Sequence, residues 1–118
     1  MRNDKRACFA LVAATIVNKH RYNGVYDLNT GTFASISASG VNDRYLSFFD
    51  YNRGGYVSGS KMGLYDYPTS SHVSITISGS VVSCFDFESG SYVNYTVNRG
   101  SVVAYDFQTG KNYNYNVV

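Results

Sequence analysis

Val81-Val82-Ser83-Cys84-Phe85-Asp86-Phe87-Glu88-Ser89-Gly90 is followed, 20 residues on, by Ser101-Val102-Val103-Ala104-Tyr105-Asp106-Phe107-Gln108-Thr109-Gly110. The two stretches are copies of one pattern. Side chains alternate with period two, so Val82, Cys84 and Asp86 share one face and Ser83, Phe85 and Phe87 the other. After each glycine a second alternating stretch begins: Val93, Tyr95, Val97 in one copy, Tyr113, Tyr115, Val117 in the next. Between them, Asp-x-x-[Ser/Thr]-Gly is turn chemistry. The Asp side chain accepts hydrogen bonds from turn N–H groups, and glycine takes the left-handed backbone that closes the turn. Each copy therefore reads as a β-hairpin.

Working outward, the kernel aromatic–Asp–apolar recurs as Tyr26-Asp27-Leu28, Phe49-Asp50-Tyr51, Tyr65-Asp66-Tyr67, Phe85-Asp86-Phe87 and Tyr105-Asp106-Phe107. Four residues after each Asp come Gly31, Gly54, Ser70, Gly90 and Gly110, and the Asp positions recur at intervals of 23, 16, 20 and 20 residues. Asp27, Asp50, Asp66, Asp86 and Asp106 are read, with the glycines, as structural turn residues. Return turns are expected at Gly40, Gly59, Gly79 and Asn98-Arg99-Gly100. The second copy is crowded by Gly54, Gly55, Gly59 and Gly63, which predicts a bulge or a longer loop there. Residues 22–118 thus predict five hairpins and eight to ten strands in a meander. The Asp-x-x-Thr-Gly turn resembles the outer-strand turn of β-propeller blades. A blade needs four strands and about 40 residues. The unit here is half that, so the resemblance stops at the turn.

Before the repeats, Asp4 to Lys19 reads as a helix. Ala7, Ala10, Leu11, Ala13 and Ala14 favour it, Asn3 or Asp4 suits its start, and Lys19, His20 and Arg21 suit its end. Cys8-Phe9-Ala10-Leu11-Val12 and Ile16-Val17 leave no polar face, so the helix is expected to be buried all round. The basic pairs at its ends, Lys5-Arg6 and Lys19, Arg21, read as its wet termini. A strand over Ala14–Asn18 is the rival reading, since Thr15-Ile16-Val17-Asn18 resembles Tyr95-Thr96-Val97-Asn98. Arg2–Arg6 followed by Ala7–Val17 also looks like the charged and apolar parts of a secretory leader. No Ala-x-Ala site follows, and the apolar run falls short of the ~20 residues that span a bilayer. The segment is therefore taken as part of the fold. The cytoplasm is the compartment kept, with secretion as the alternative.

The two faces of the strands then decide the architecture. Two residues before each Asp sit Val25, Phe48, Leu64, Cys84 and Ala104, and four before sit Asn23, Leu46, Met62, Val82 and Val102. This mostly aliphatic, Asp-bearing face suits packing on a helix. Ten strands ~4.8 Å apart make a ribbon ~48 Å wide. Curled with tilt, it encloses a helix ~10 Å across. The expected fold is α+β, mostly β, as one domain over residues 1–118. The N-terminal helix sits in the concave side of a strongly curved antiparallel meander, closed or nearly closed into a barrel. An open sheet with the helix on one face is the alternative.

Several function classes are excluded at this stage. With 44% apolar and 15% charged residues the chain is not a disordered tail. A net charge of +2 with scattered Lys and Arg lacks a nucleic-acid footprint. Cys8 and Cys84 stand in no CxxC or CxxH spacing and read as small buried hydrophobes, although a bridge between them is not excluded by spacing. His20 and His72 have no ligand partner at metal spacing. Successive Asp residues would stand ~9.6 Å apart, two strands on, too far to share one calcium ion. There is no Gly-x-Ser-x-Gly elbow, and Gly59-Ser60-Lys61-Met62-Gly63 lacks phosphate-loop spacing. The expectation is a non-enzyme without cofactor or metal.

The aromatic stripe carries the functional expectation. Tyr26, Phe49, Tyr65, Phe85 and Tyr105 form one level, and Tyr51, Tyr67, Phe87 and Phe107 a second. The reading preferred is that these rings are core or a cross-strand ladder. The rival is an exposed binding face, of Tyr26, Phe49, Tyr51, Tyr65, Tyr67, Phe85 and Tyr105. Either way the chain reads as a structural or protein-interaction module, self-associating through the aromatic face or an open sheet edge. A carbohydrate-binding module is the alternative.

Overall fold

The computed structural model describes all of residues 1–118. One helix, α1 (Asn3–Asn18), precedes ten strands: β1 (Gly24–Asp27), β2 (Thr32–Val41), β3 (Leu46–Asp50), β4 (Gly55–Ser60), β5 (Gly63–Asp66), β6 (Ser71–Ser78), β7 (Val81–Asp86), β8 (Ser91–Asn98), β9 (Ser101–Asp106) and β10 (Lys111–Val117). Every strand pairs antiparallel with its neighbours in sequence, and β1 also pairs with β10, so the sheet is a closed barrel. At that seam Val25 lies opposite Val117, Tyr26 opposite Asn116 and Asp27 opposite Tyr115. Closure leaves no strand edge, which removes the open-sheet alternative and, with it, self-association through an open edge.

The helix fills the barrel. Cys8, Phe9, Ala10, Leu11, Ala13 and Ala14 have no exposed surface, as an apolar circumference requires. Ala7, Ala10, Ala13 and Ala14 fall on one side of the helix at 3.6 residues per turn, and the helix backbone comes closest to β1, β2 and β7–β10. Val25, Phe48, Leu64, Cys84 and Ala104 line the wall as expected, joined by Val57, Val73, Val93 and Tyr95, so helix and wall form one core of 28 buried apolar residues. Each large aliphatic side chain buried here contributes about 1.5–3 kcal/mol.

Details differ from the sequence reading. The helix continues through Ala14–Asn18, so the strand reading fails there; Thr15 instead donates its hydroxyl to the Leu11 carbonyl inside the helix. Its N-cap is Arg2, with no side-chain cap, and Lys19 closes it in the left-handed conformation. Lys5 and Arg6 are not wet; they are among the most buried residues of the molecule. Met62 is exposed, because it sits in the two-residue turn from Ser60 to Gly63, and Asn23 is exposed ahead of β1. Gly40 and Gly59 lie within β2 and β4, not in turns. A Cβ on Gly59 would run into the Gly63 carbonyl across that same turn. The bulge falls one strand earlier than expected, between Ala38 and Gly40 of β2, and a longer loop, Asn42–Tyr45, follows it. The second hairpin itself is regular. Cys8 and Cys84 are both buried and unpaired.

Candidate functional site

The five Asp-to-Gly corners lie at one end of the barrel, around the N-terminal end of the helix. Inside this mouth stand the carboxylates; outside it stand the aromatic rings. Both follow from the same alternation, because Asp shares the inward face with Val82 and Cys84 while its two neighbours point outward.

Asp50, Asp66, Asp86 and Asp106 each accept hydrogen bonds from both the turn and a cation. Asp50 Oδ1 accepts from the Asn52 and Arg53 backbone N–H groups at 3.0 and 3.2 Å, while Oδ2 accepts from Arg53 Nε at 2.7 Å. The same guanidinium reaches Asp66 with two parallel bonds of 2.9 and 2.8 Å. One planar fork thus bridges the two carboxylates. Lys5 Nζ donates to Asp86 at 2.6 Å and to the Ser71 and Thr69 hydroxyls at 3.0 and 3.2 Å. Arg6 donates to Asp106 from Nε and Nη2 at 3.1 and 2.8 Å, and its guanidinium lies 3.7 Å from the Tyr113 ring centre. Burial works against ionisation of Asp86 and Asp106. The hydrogen bonds from Lys5 and Arg6 outweigh it and hold both below the ordinary carboxylate range. Burial likewise opposes the charge on Arg53, yet its bonds to Asp66 and Asp50 raise it above the usual arginine value.

The turn assignment of the Asp residues is therefore incomplete, since Asp86 and Asp106 also carry the ion pairs that tie the helix to the barrel, and Asp50 and Asp66 share Arg53. Sequence reasoning missed Lys5, Arg6 and Arg53. The signal was present: an Asp on a face that packs against a helix must be buried, and buried carboxylates need cations on the facing element.

Outside, the rings form a belt. Tyr26 packs on Phe33, Phe49 on Tyr51 and Tyr56, Tyr65 on Tyr67 and His72, Phe85 on Phe87 and Tyr92, and Tyr105 on Phe107, with ring centres 4.7–4.9 Å apart. The ladder half of the preferred reading stands; the core half does not. None of these rings is buried, and Tyr51, Tyr67, Phe87 and Phe107 are each more than half exposed. Phe49, Tyr65 and Phe85 are partly covered by their neighbours. His72 occupies an outward strand position, as its slot opposite Tyr65 implies. Further along, the outer face of β6, β8 and β10 changes to Ser74, Thr76, Asn94, Thr96 and Asn114, so most of the aromatic rings gather at the mouth end.

Tyr45, which the repeat did not single out, joins Tyr56 and Tyr67 around a groove of about 290 Å³ floored by Ser47 and Ser58. Ser47 and Ser58 are register partners, and Ser39 donates to the Ser47 hydroxyl at 2.8 Å. Period two from Phe49 back through Ser47 points to Tyr45. Its place in the irregular β2–β3 loop hid it.

No helix of the structure is long and apolar enough to cross a membrane. No protein-family model, curated protein or solved structure matches the chain.

Proposed function

We propose that the chain is a non-catalytic interaction module that docks a protein surface, a second copy of itself included, on the aromatic belt at the mouth of the barrel. One observation carries this. Leu28, Tyr51, Tyr67, Phe87 and Phe107, one from each hairpin corner, stand 54–62% exposed around a single end of the molecule. Large side chains left in water at one end are what a docking surface needs, and Tyr joins an apolar body to a polar tip. The frame behind them is rigid, because the helix is tied to the strands by Lys5, Arg6 and Asp86, Asp106. Sedimentation equilibrium over a wide concentration range tests the self-docking form. Concentration-dependent association is expected, and it should disappear in the variant Tyr51→Ser/Tyr67→Ser/Phe87→Ser. A monomer at every concentration would reject self-association.

A second reading, carbohydrate binding, is favoured by the groove between Tyr45, Tyr56 and Tyr67. Tyrosine walls stack on sugar rings while the Ser47 and Ser58 hydroxyls below suit ring hydroxyls. Glycan-array binding that is lost in Tyr56→Ala supports it, and an array without hits rejects it.

A further inference from the structure

Four of the five inward carboxylates meet a side-chain cation: Asp50 and Asp66 meet Arg53, Asp86 meets Lys5 and Asp106 meets Arg6. Asp27 meets none. It is only 7% exposed. Its Oδ1 accepts from the Asn29 backbone, the Asn29 side chain and the Thr30 backbone at 2.9, 2.8 and 3.3 Å, while Oδ2 accepts no hydrogen bond from the chain. Beside it opens a cavity of about 250 Å³, whose polar lining is Asn3, Asp4, Asp27, Thr30, Thr32 and Asn52. Asp27 is thus the one corner carboxylate that no cation of the chain neutralises.

We propose that this cavity is a binding site for a small organic cation, a guanidinium or primary ammonium group, which takes at Asp27 the place that Arg53, Lys5 and Arg6 take at the other four corners. The chemistry of the lining selects that class. Two carboxylates supply the negative charge, and the threonine hydroxyls and asparagine amides add oxygen acceptors. A guanidinium brings five N–H donors and no acceptor. The carboxylate oxygen that the chain leaves without a donor gains most from a charged one. A divalent metal fits poorly, since calcium takes six to eight oxygen ligands and no three Asp, Glu, His or Cys side chains converge anywhere in the chain. Phe33, which lines the same cavity, offers a ring to the flat face of the cation.

The test is an NMR titration of the ¹⁵N-labelled full chain with methylguanidinium chloride, with sodium chloride at matched ionic strength as control. Saturable shifts are expected at the amides of Asp27, Thr30, Thr32 and Asn52. Affinity should drop about tenfold or more in Asp27→Asn, the loss of one charged hydrogen-bond acceptor, and should be unchanged in Glu88→Gln. Thr32→Arg, which tethers a guanidinium at the cavity wall, should abolish the shifts and raise the melting temperature. Shifts that grow without saturating, an equal response to sodium, or undiminished affinity in Asp27→Asn would overturn the proposal. If Asp27→Asn does not fold, saturable binding that survives in Thr32→Arg overturns it. Methylammonium and an end-blocked arginine peptide form the second arm. Tighter binding of the peptide supports a side chain of a protein partner as the source, and equal binding supports a free cation.

Discussion

Ser70 occupies the corner position that glycine holds in the other four hairpins. Its φ of 53° lies in the same left-handed region as Gly31, Gly54, Gly90 and Gly110, at 68–72°. A side chain there costs roughly 1–2 kcal/mol against the following carbonyl oxygen. Glycine in its place loses about 0.5–1 kcal/mol more backbone entropy on folding. The first effect exceeds the second, and the exposed Ser70 side chain makes no hydrogen bond that would be lost. Ser70→Gly is therefore expected to stabilise the fold by about 0.5–1 kcal/mol in urea unfolding. An unchanged or lower midpoint would show that the corner is not strained. Lys5 poses the opposite case, a residue whose partner makes it indispensable. Lys5→Met keeps the helix and the packing but leaves Asp86 buried beside no ammonium. Breaking one half of a buried pair costs about 3–5 kcal/mol, whereas removing both halves costs far less. Lys5→Met should lower the urea midpoint sharply, and Lys5→Met/Asp86→Asn should recover much of the loss. Additive effects of the two substitutions would refute the coupling.

At the scale of elements, the ion pairs make the grip of the barrel on its helix depend on pH. Asp86 and Asp106 are held below the ordinary carboxylate range by Lys5 and Arg6. The unfolded chain therefore binds more protons than the folded one as pH falls past about 4. Their contribution is complete above that value and is lost as pH falls through their lowered folded values. Stability should be nearly flat from about pH 7 to 5 and fall steeply below 4, with a shallower fall in Asp86→Asn. Equal slopes would place the acid-sensitive groups elsewhere. These elements also show what was legible beforehand. The hairpins were plain because Asp86 and Asp106 stand in ten-residue stretches of strict alternation ending in glycine. The buried helix was plain because Cys8 to Val17 has no polar side. Lys5 and Arg6 were misread because charge at a helix end is ordinarily solvated, and only the inward direction of the Asp residues reverses that expectation. The rings flanking each Asp were assigned first to the core because both strand faces are apolar. The deciding fact is volume: with a helix inside, the barrel has room for Val82, Cys84 and Ala104, and for few rings beyond Tyr95 and Tyr115.

Across the whole molecule, the sheet depends on one non-local strand pairing, the seam between β1 and β10. Nine of its ten strand pairings join neighbours in sequence, and the tenth joins Tyr26 to Asn116, 90 residues away. Hairpins with tight corners form early, because closing a short loop costs little chain entropy, whereas the seam must close a loop spanning most of the chain. The same seam encloses α1, whose apolar side chains pack against the inside of the wall. The seam is then expected to form last and open first. A disulfide between Tyr26→Cys and Asn116→Cys probes this. The two residues are register partners on the outer face, and the 4.5–5.5 Å between Cα atoms in an antiparallel pair suits a disulfide. Comparing oxidised and reduced forms of this one variant cancels the loss of Tyr26 stacking on Phe33. The oxidised form should be more stable by about 2–4 kcal/mol, and it should unfold more slowly, because the first contact to break is now covalent. If oxidation accelerated folding while leaving the unfolding rate unchanged, the seam would already be intact at the unfolding barrier. The barrel would then have to open at another pair, with the bulged β2–β3 junction, where the register shifts between Ala38 and Gly40, as the next place to cross-link.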